Sequence, residues 1–228
     1  MSRPEFKLGN DAAVVLKYGT ADQAVIKGIN KLGLPELMRE VISIQEFRTD
    51  FDFEFTTSGK YGRITFGGNL VLGDTKGQDQ LKQYLIDNAK ITDCRLYLDL
   101  ENFVTVDLAR DPDACFQVSR VTPGQADKSG TFTLDCEMVC GGRFAYFVKH
   151  LTGTTIAFVA TGNKITDSAS GFVDAGFEAG QTLIVEGSTS NDGQYIIESV
   201  AAGEIVVSGG TITDEAAGNS ITLHGGTL

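Results

Sequence analysis

The chain has 228 residues, 42% of them apolar, and a net charge of −11 at neutral pH. That length and apolar share support one large domain, or an ordinary domain plus a small one, with a buried core. The acid excess excludes a protein that grips nucleic acid through a basic face, and no run reaches the roughly 18 apolar residues of a membrane helix.

The first residues, "MSRPEFKLGN", lack the apolar stretch of a signal peptide, so the expectation is folding in a cytoplasm. "AAVVLK" and "EVISIQEF" then read as strands. Residues 41–55 change phase: Ile42 and Ile44 are apolar at even positions, and Phe47, Phe51, Phe53 and Phe55 at odd ones. One strand cannot bring both sets to one face, which predicts a bulge or break near Gln45–Phe47. Beyond it Phe51, Phe53 and Phe55 form a candidate core face, and Asp50, Asp52 and Glu54 an outward row. "TTSGK", Thr56–Lys60, is expected to turn, and Arg63 on the return strand to meet the acidic row across the ladder. Carboxylates two apart on a flat strand diverge, so this row is not a metal site.

"GGNLVLGDTKGQ" falls short of a phosphate loop. The GxxxxGK[ST] pattern needs Lys and Ser/Thr after its second glycine, and here Gly73 is followed by Asp74 and Thr75. The glycines are better read as ending a strand and starting a helix. That helix is predicted over Gly77–Asn88, with Leu81, Tyr84 and Leu85 as its apolar stripe and Asp74 or Thr75 as its cap. "CRLYLDL", "NFVTVDL", "CFQVSRV", "GTFTLDCEMVC" and "RFAYFVK" follow as strands. In the fourth, Phe132, Leu134, Cys136, Met138 and Cys140 alternate with polar residues, the pattern of an antiparallel sheet with one face on a core. Cys136 and Cys140 would lie about 13 Å apart on one face, too far for a disulfide. With Cys94 and Cys115 they read as buried thiols of a reducing compartment.

Composition shifts near Gly153. Residues 153–228 hold nine acids and one base, Lys164, a balance of −8 against −3 for residues 1–152, and all prolines and cysteines lie before the break. The expected division is therefore a domain at 1–152 and a small all-β domain at 153–228, joined at about Leu151–Thr155. "TIAFVA", "QTLIVEG", "GQYIIESV", "EIVVSGG" and "NSITLHG" supply the second domain's strands, with "NDG" at Asn191–Gly193 as a tight turn. Neither His150 nor His224 sits near a Ser or Cys in a nucleophile motif. No residue is assigned to catalysis, a cofactor or a metal, and the chain is expected not to be an enzyme.

The phase-switching hairpin, "RITFGGNLVLGD", the short helix and the strand series ending in "TFTLDCEMVCGGRFAYF" resemble the major tail tube proteins of long-tailed bacteriophages, over roughly residues 1–150. "SGFVDAGFEAGQTLIVEGSTSNDGQYII" resembles a β module that recurs in phage virion proteins. The resemblance implies a mainly β (α+β) fold, a tail-tube-type β-sandwich or barrel with one flanking helix, and the C-terminal module as an outer decoration. It also implies hexameric rings stacked into a virion tail tube, assembled in the host cytoplasm, that conducts DNA at ejection without specific binding. The implied partners are further copies of the chain, a tape measure protein, a tail terminator and baseplate or tail-tip proteins. An outer domain on every subunit fits a non-contractile tail. On this reading Asp50, Asp52, Glu54, Lys60 and Arg63 form a candidate face toward the lumen or the next ring; an acidic wall would repel phosphate and let the duplex slide. The alternative is a β-rich binding or adhesion component of a virion or baseplate, which the lack of Trp and the few aromatics after Gly153 disfavour.

Overall fold

The computed structural model describes residues 12–34, 37–45, 52–124, 126, 130 and 132–227, and for 37–45 and 52–61 the backbone alone. The described residues are mainly β with one helix. The first elements are β1 (Ala13–Leu16), β2 (Ala24–Val25), β3 (Ile29–Gly33), β4 (Leu37–Gln45), β5 (Asp52–Tyr61), β6 (Ile64–Asn69) and α1 (Gln78–Asp87). β7 (Arg95–Tyr97), β8 (Phe103–Val106), β9 (Cys115–Pro123), β10 (Thr133–Gly141) and β11 (Phe144–Gly153) follow. The remainder are β12 (Ile156–Val159), β13 (Lys164–Asp167), β14 (Thr182–Glu186), β15 (Gly193–Ala201), β16 (Glu204–Ser208) and β17 (Ile221–Thr227).

The described residues form two compact units. One draws on 12–26, 91–115 and 141–227, the other on the described residues within 27–90 and 116–140. The first unit is an eleven-stranded sheet in the order β12-β13-β16-β15-β14-β17-β11-β8-β7-β1-β2. This division differs from the one expected at Leu151–Thr155. β11 runs through that point, and its residues Lys149–Gly153 pair with Gly225–Ile221 of β17. β17 in turn pairs with β14.

Alternation on β14 shows how firmly the late strands are joined to the early ones. Leu183 and Val185 enter a cluster with Phe158, Phe172, Ile197 and Leu223. Ile184, between them, enters a second cluster with Phe103, Ala145 and Phe147. A strand buried on both faces reads as a continuous apolar run, and "TLIV" is one. Phe103 and Phe147 stack at 5.1 Å. The Phe147 ring lies so close to β17 that a Cβ on Gly226 would fall 2.7 Å from it, so that strand carries glycine where the aromatic pair presses on it.

The second unit contains a four-stranded sheet, β3-β6-β10-β9, and the two-stranded ribbon β4-β5. On β10 the expected alternation holds at Leu134, Cys136 and Met138, all buried, but Phe132 is 53% exposed. Gly68 of β6 is another close approach: a Cβ there would sit 2.0 Å from the Gly28 carbonyl oxygen, where the β3–β6 register slips between Ile29 and Lys31. Gly67 and Gly68 thus lie inside a strand instead of ending it. α1 starts after Gly77. Asp74, as expected, serves its first turn: its Oδ2 accepts from the Gln78 N–H at 3.0 Å. Of the predicted stripe, Leu81 is fully buried, Tyr84 half-buried, and Leu85 37% exposed.

The expected turn at Thr56–Lys60 does not form. β5 continues through it, paired with β4 from Gln45↔Asp52 to Leu37↔Tyr61. Between Arg39↔Gly59 and Val41↔Thr56 the partner strand advances two residues while β5 advances three. The Thr-Ser-Gly signal therefore marks a β-bulge. The break expected near Gln45–Phe47 falls on residues outside those described, which stop at Gln45 and resume at Asp52.

Candidate functional site

The predicted face divides between described and undescribed residues. Asp50 and Phe51 lie outside the described residues. Asp52, Phe53, Glu54, Phe55 and Lys60 are known by backbone register alone: they stand opposite Gln45, Ile44, Ser43, Ile42 and Met38 of β4. Arg63 is exposed, and its described partner is not the acidic row. Its Nη1 donates to Glu137 Oε2 on β10 at 2.6 Å. Arg120 on β9 donates to the other oxygen, Oε1, at 2.5 Å. Lys31 and Asp135 form a further pair at 2.6 Å. The two arginine side chains are 66% and 55% exposed, whereas that of Glu137 is 12% exposed. Glu137 is thus a buried carboxylate gripped from two sides, by Arg63 just before β6 and by Arg120 on β9. Exposed pairs of this kind contribute little to stability, and the partly buried acceptor makes this one stronger than the Lys31 pair.

A polar network in the first unit joins early and late strands. His150 on β11 and His224 on β17 stand opposite each other, with their Nδ1 atoms 2.8 Å apart. His150 Nε2 is 3.0 Å from Asn102 Oδ1, and His224 Nε2 is 3.2 Å from Glu186 Oε2 on β14. Glu186 also accepts from Tyr18 O–H at 3.2 Å and from Arg95 Nη2. Burial pushes the Glu186 carboxyl upward, but the hydrogen bond from His224 and the Arg95 charge outweigh it and hold the group at about 2. Burial raises the Tyr18 phenol. It also lowers His150, and the neighbouring His224 adds to that. The Arg95 guanidinium carbon lies 3.5 Å from the centre of the Tyr18 ring and 4.1 Å from that of Phe103. Its Nη1 is buried with no hydrogen-bond partner among the described residues, so the charge rests between two aromatic faces and one carboxylate.

Two further ties bind the late strands to the end of β8. Gln194 takes the Leu108 N–H at 2.9 Å and donates to the Val106 carbonyl at 3.1 Å. Thr182 donates to buried Asp107 at 3.0 Å. Asn191, expected in a tight turn, is fully buried, and its side chain bonds the Thr213 backbone in both directions, at 2.8 and 3.1 Å.

The arrangement can hold and share protons and can pin strands together. Among the described residues no three His, Cys, Asp or Glu side chains gather as metal ligands. Cys94, Cys115 and Cys136 are buried, Cys140 is half-buried, and no disulfide joins them. Burial pushes the Cys136 thiol up to about 12 and raises Cys94 as well, so both stay protonated. Reading each histidine alone missed the network. Its signal was that the chain's two histidines both lie in strand runs, "FVKHLTG" and "ITLHGG".

No protein-family model matches the chain, and no curated protein matches it. Among solved structures it is similar to a chain in the virion of a native gene transfer agent particle, at 12% identity and a TM-score of 0.43, over 62% of this chain and 99% of that one. It is similar to a chain in the six-fold symmetrised baseplate of the anti-feeding prophage, at 13% identity and a TM-score of 0.41, over 63% and 97%. A third is the SPP1 Dit protein, at 10% identity and a TM-score of 0.34, over 95% and 99%.

Proposed function

We propose that the chain is a structural subunit of a phage-type virion tail, assembling into rings that stack around a channel. The observation that carries this reading is the β4-β5 ribbon. Its strands are nine and ten residues long, and among the described residues each pairs only with the other. A two-stranded ribbon is marginal in water, and its open edges invite pairing with other chains. Six copies joining such ribbons edge to edge would close a barrel and remove those edges. The sequence resemblance over residues 1–150 supports the same arrangement. In it, Asp50, Asp52 and Glu54 border the channel or the next ring, and DNA passes without specific binding. Residues 153–228 are an outer decoration in this reading. The role is assembly, not catalysis, and the partners are further copies, a tape measure protein and the proteins at either end of the tail.

Negative-stain microscopy and light scattering of the full chain across a wide concentration range test the reading. Rings or tubes with six-fold averages are the expected result. A monomer at every concentration, unchanged by a tail-tip initiator complex, overturns it.

A further inference from the structure

The chain's two histidines carry a proton count that the geometry fixes. Asn102 donates from Nδ2 to Asp99 Oδ2 at 2.7 Å. Its Oδ1 is therefore the atom turned to His150, and an acceptor there requires a hydrogen on His150 Nε2. On the other side Glu186 is an ionised acceptor, which requires a hydrogen on His224 Nε2. With both Nε2 hydrogens in place, two neutral rings would aim bare Nδ1 lone pairs at each other across 2.8 Å. Moving the His224 hydrogen to Nδ1 mends that contact and leaves a bare Nε2 facing the Glu186 carboxylate. A neutral pair thus satisfies only two of the three contacts, and one added proton satisfies all three.

We propose that His150 and His224 share one extra proton between their Nδ1 atoms, and that this proton is a pH-sensitive latch tying β17 to β11, released as pH rises. Ring geometry favours a proton over a metal ion. The ring centroids are 5.0 Å apart against 2.8 Å for the nitrogens, so the lone pairs point nearly along the line joining them. A metal bound at about 2.0–2.1 Å from each nitrogen cannot lie on so short a line.

The surroundings supply the charge balance. Burial and the neighbouring His224 oppose a cation on His150, and from the β7–β8 turn Glu101 and Asp99 act the other way. From β14 Glu186 faces His224, and from β7 Arg95 opposes a further positive charge while neutralising Glu186. Tyr18, before β2, reaches Glu186 as a neutral phenol. Phe103 of β8 packs against the His224 ring at 5.2 Å. A cavity of about 160 Å³ lined by Tyr18, Tyr97, Glu101, His150 and His224 gives water a route to the pair. The side chain of His224 is 11% exposed, so a proton lost through this route leaves an unmatched polar contact in a mostly buried place. The proposal concerns the subunit's own sheet and does not depend on the tail reading.

The test is a pH titration of the full chain labelled with ¹⁵N-histidine. All ring signals come from this pair, because the chain has only two histidines. At pH 7 one ring should show both nitrogens protonated and the other a neutral Nε2–H form. Both should leave that pattern together, at one shared midpoint. Across that midpoint the exchange protection of the Leu223–Gly225 amides should fall about tenfold, with β15 and β16 unchanged. The Glu186→Gln variant should release the proton about tenfold more readily. Two neutral rings at pH 7, protection that ignores the midpoint, or zinc at one equivalent displacing the proton each overturn the proposal. The unmodified chain decides the matter even where the variant does not fold.

Discussion

Glu186 takes hydrogen bonds from Tyr18, Arg95 and His224, and its ionisation has a consequence for stability. Its folded value of about 2 lies below the ordinary 4.5. A depressed carboxyl contributes its full stabilisation above the unfolded value and loses it as pH falls through the folded one. The contribution, on the order of 3 kcal/mol, should therefore be present above about pH 5 and fade between about 4.5 and 2. Urea unfolding from pH 7 to pH 2 checks this. The unmodified chain should lose stability across the window, while Glu186→Gln starts lower and lacks this component of the fall. At the same scale, Glu137 shows what sequence reading reached and what it missed. Arg63 was legible as a cation seeking a carboxylate across the ladder. The carboxylate it meets lies 74 positions away on another strand, and no local pattern carries that pairing.

At the scale of elements, α1 is held by a buried glutamine as well as by its apolar stripe. Gln78 is fully buried. Its Oε1 accepts from the Val71 N–H at 3.0 Å, and its Nε2 donates to the carbonyls of Lys27 at 2.7 Å and Asn69 at 2.9 Å. Gln78→Ala strands these three backbone groups and should cost about 2–4 kcal/mol, whereas Gln83→Ala, on the exposed face, should stay within about 0.5 kcal/mol. Thermal or urea unfolding of the two variants side by side checks the contrast. The helix, the Asp74 acceptor for its first turn and the inward Leu81 were legible because a 3.6-residue period and a capping acid are local signals. Gln78 was not, because its partners come from a bulged crossing of β3 and β6. β10 and β14 were legible by alternation or by an apolar run. β3, "INKLG", and β13, "KITD", have neither. The bulge in β5 imitated a turn, since turns and bulges use the same small and polar residues.

For the whole molecule, the break in composition at Gly153 and the division into compact units do not coincide. Composition reports solvent exposure and charge, whereas a sheet is built from pairings that ignore both. Removing residues 154–228 would strip β17 from β11, uncover Phe103 and Phe147, both fully buried, and leave Arg95 without Glu186. A chain ending at residue 153 should therefore aggregate or fail to melt cooperatively, against a soluble, cooperatively melting full chain. Circular dichroism and size-exclusion of the two products measure the difference. A truncated product that stays soluble and melts cooperatively would restore the division at 152.

β17 occupies the central place in the eleven-stranded sheet, between β14 and β11, yet in chain order it follows every strand it joins. Until residues 221–227 leave the ribosome, the two halves of the sheet have no strand between them. At about 5–20 residues per second, the stretch from Gly153 to Thr227 takes on the order of 4–15 s to synthesise. For that interval the open edge of β11 is available to any neighbouring nascent chain. The sheet is therefore complete only after its own middle strand has been made.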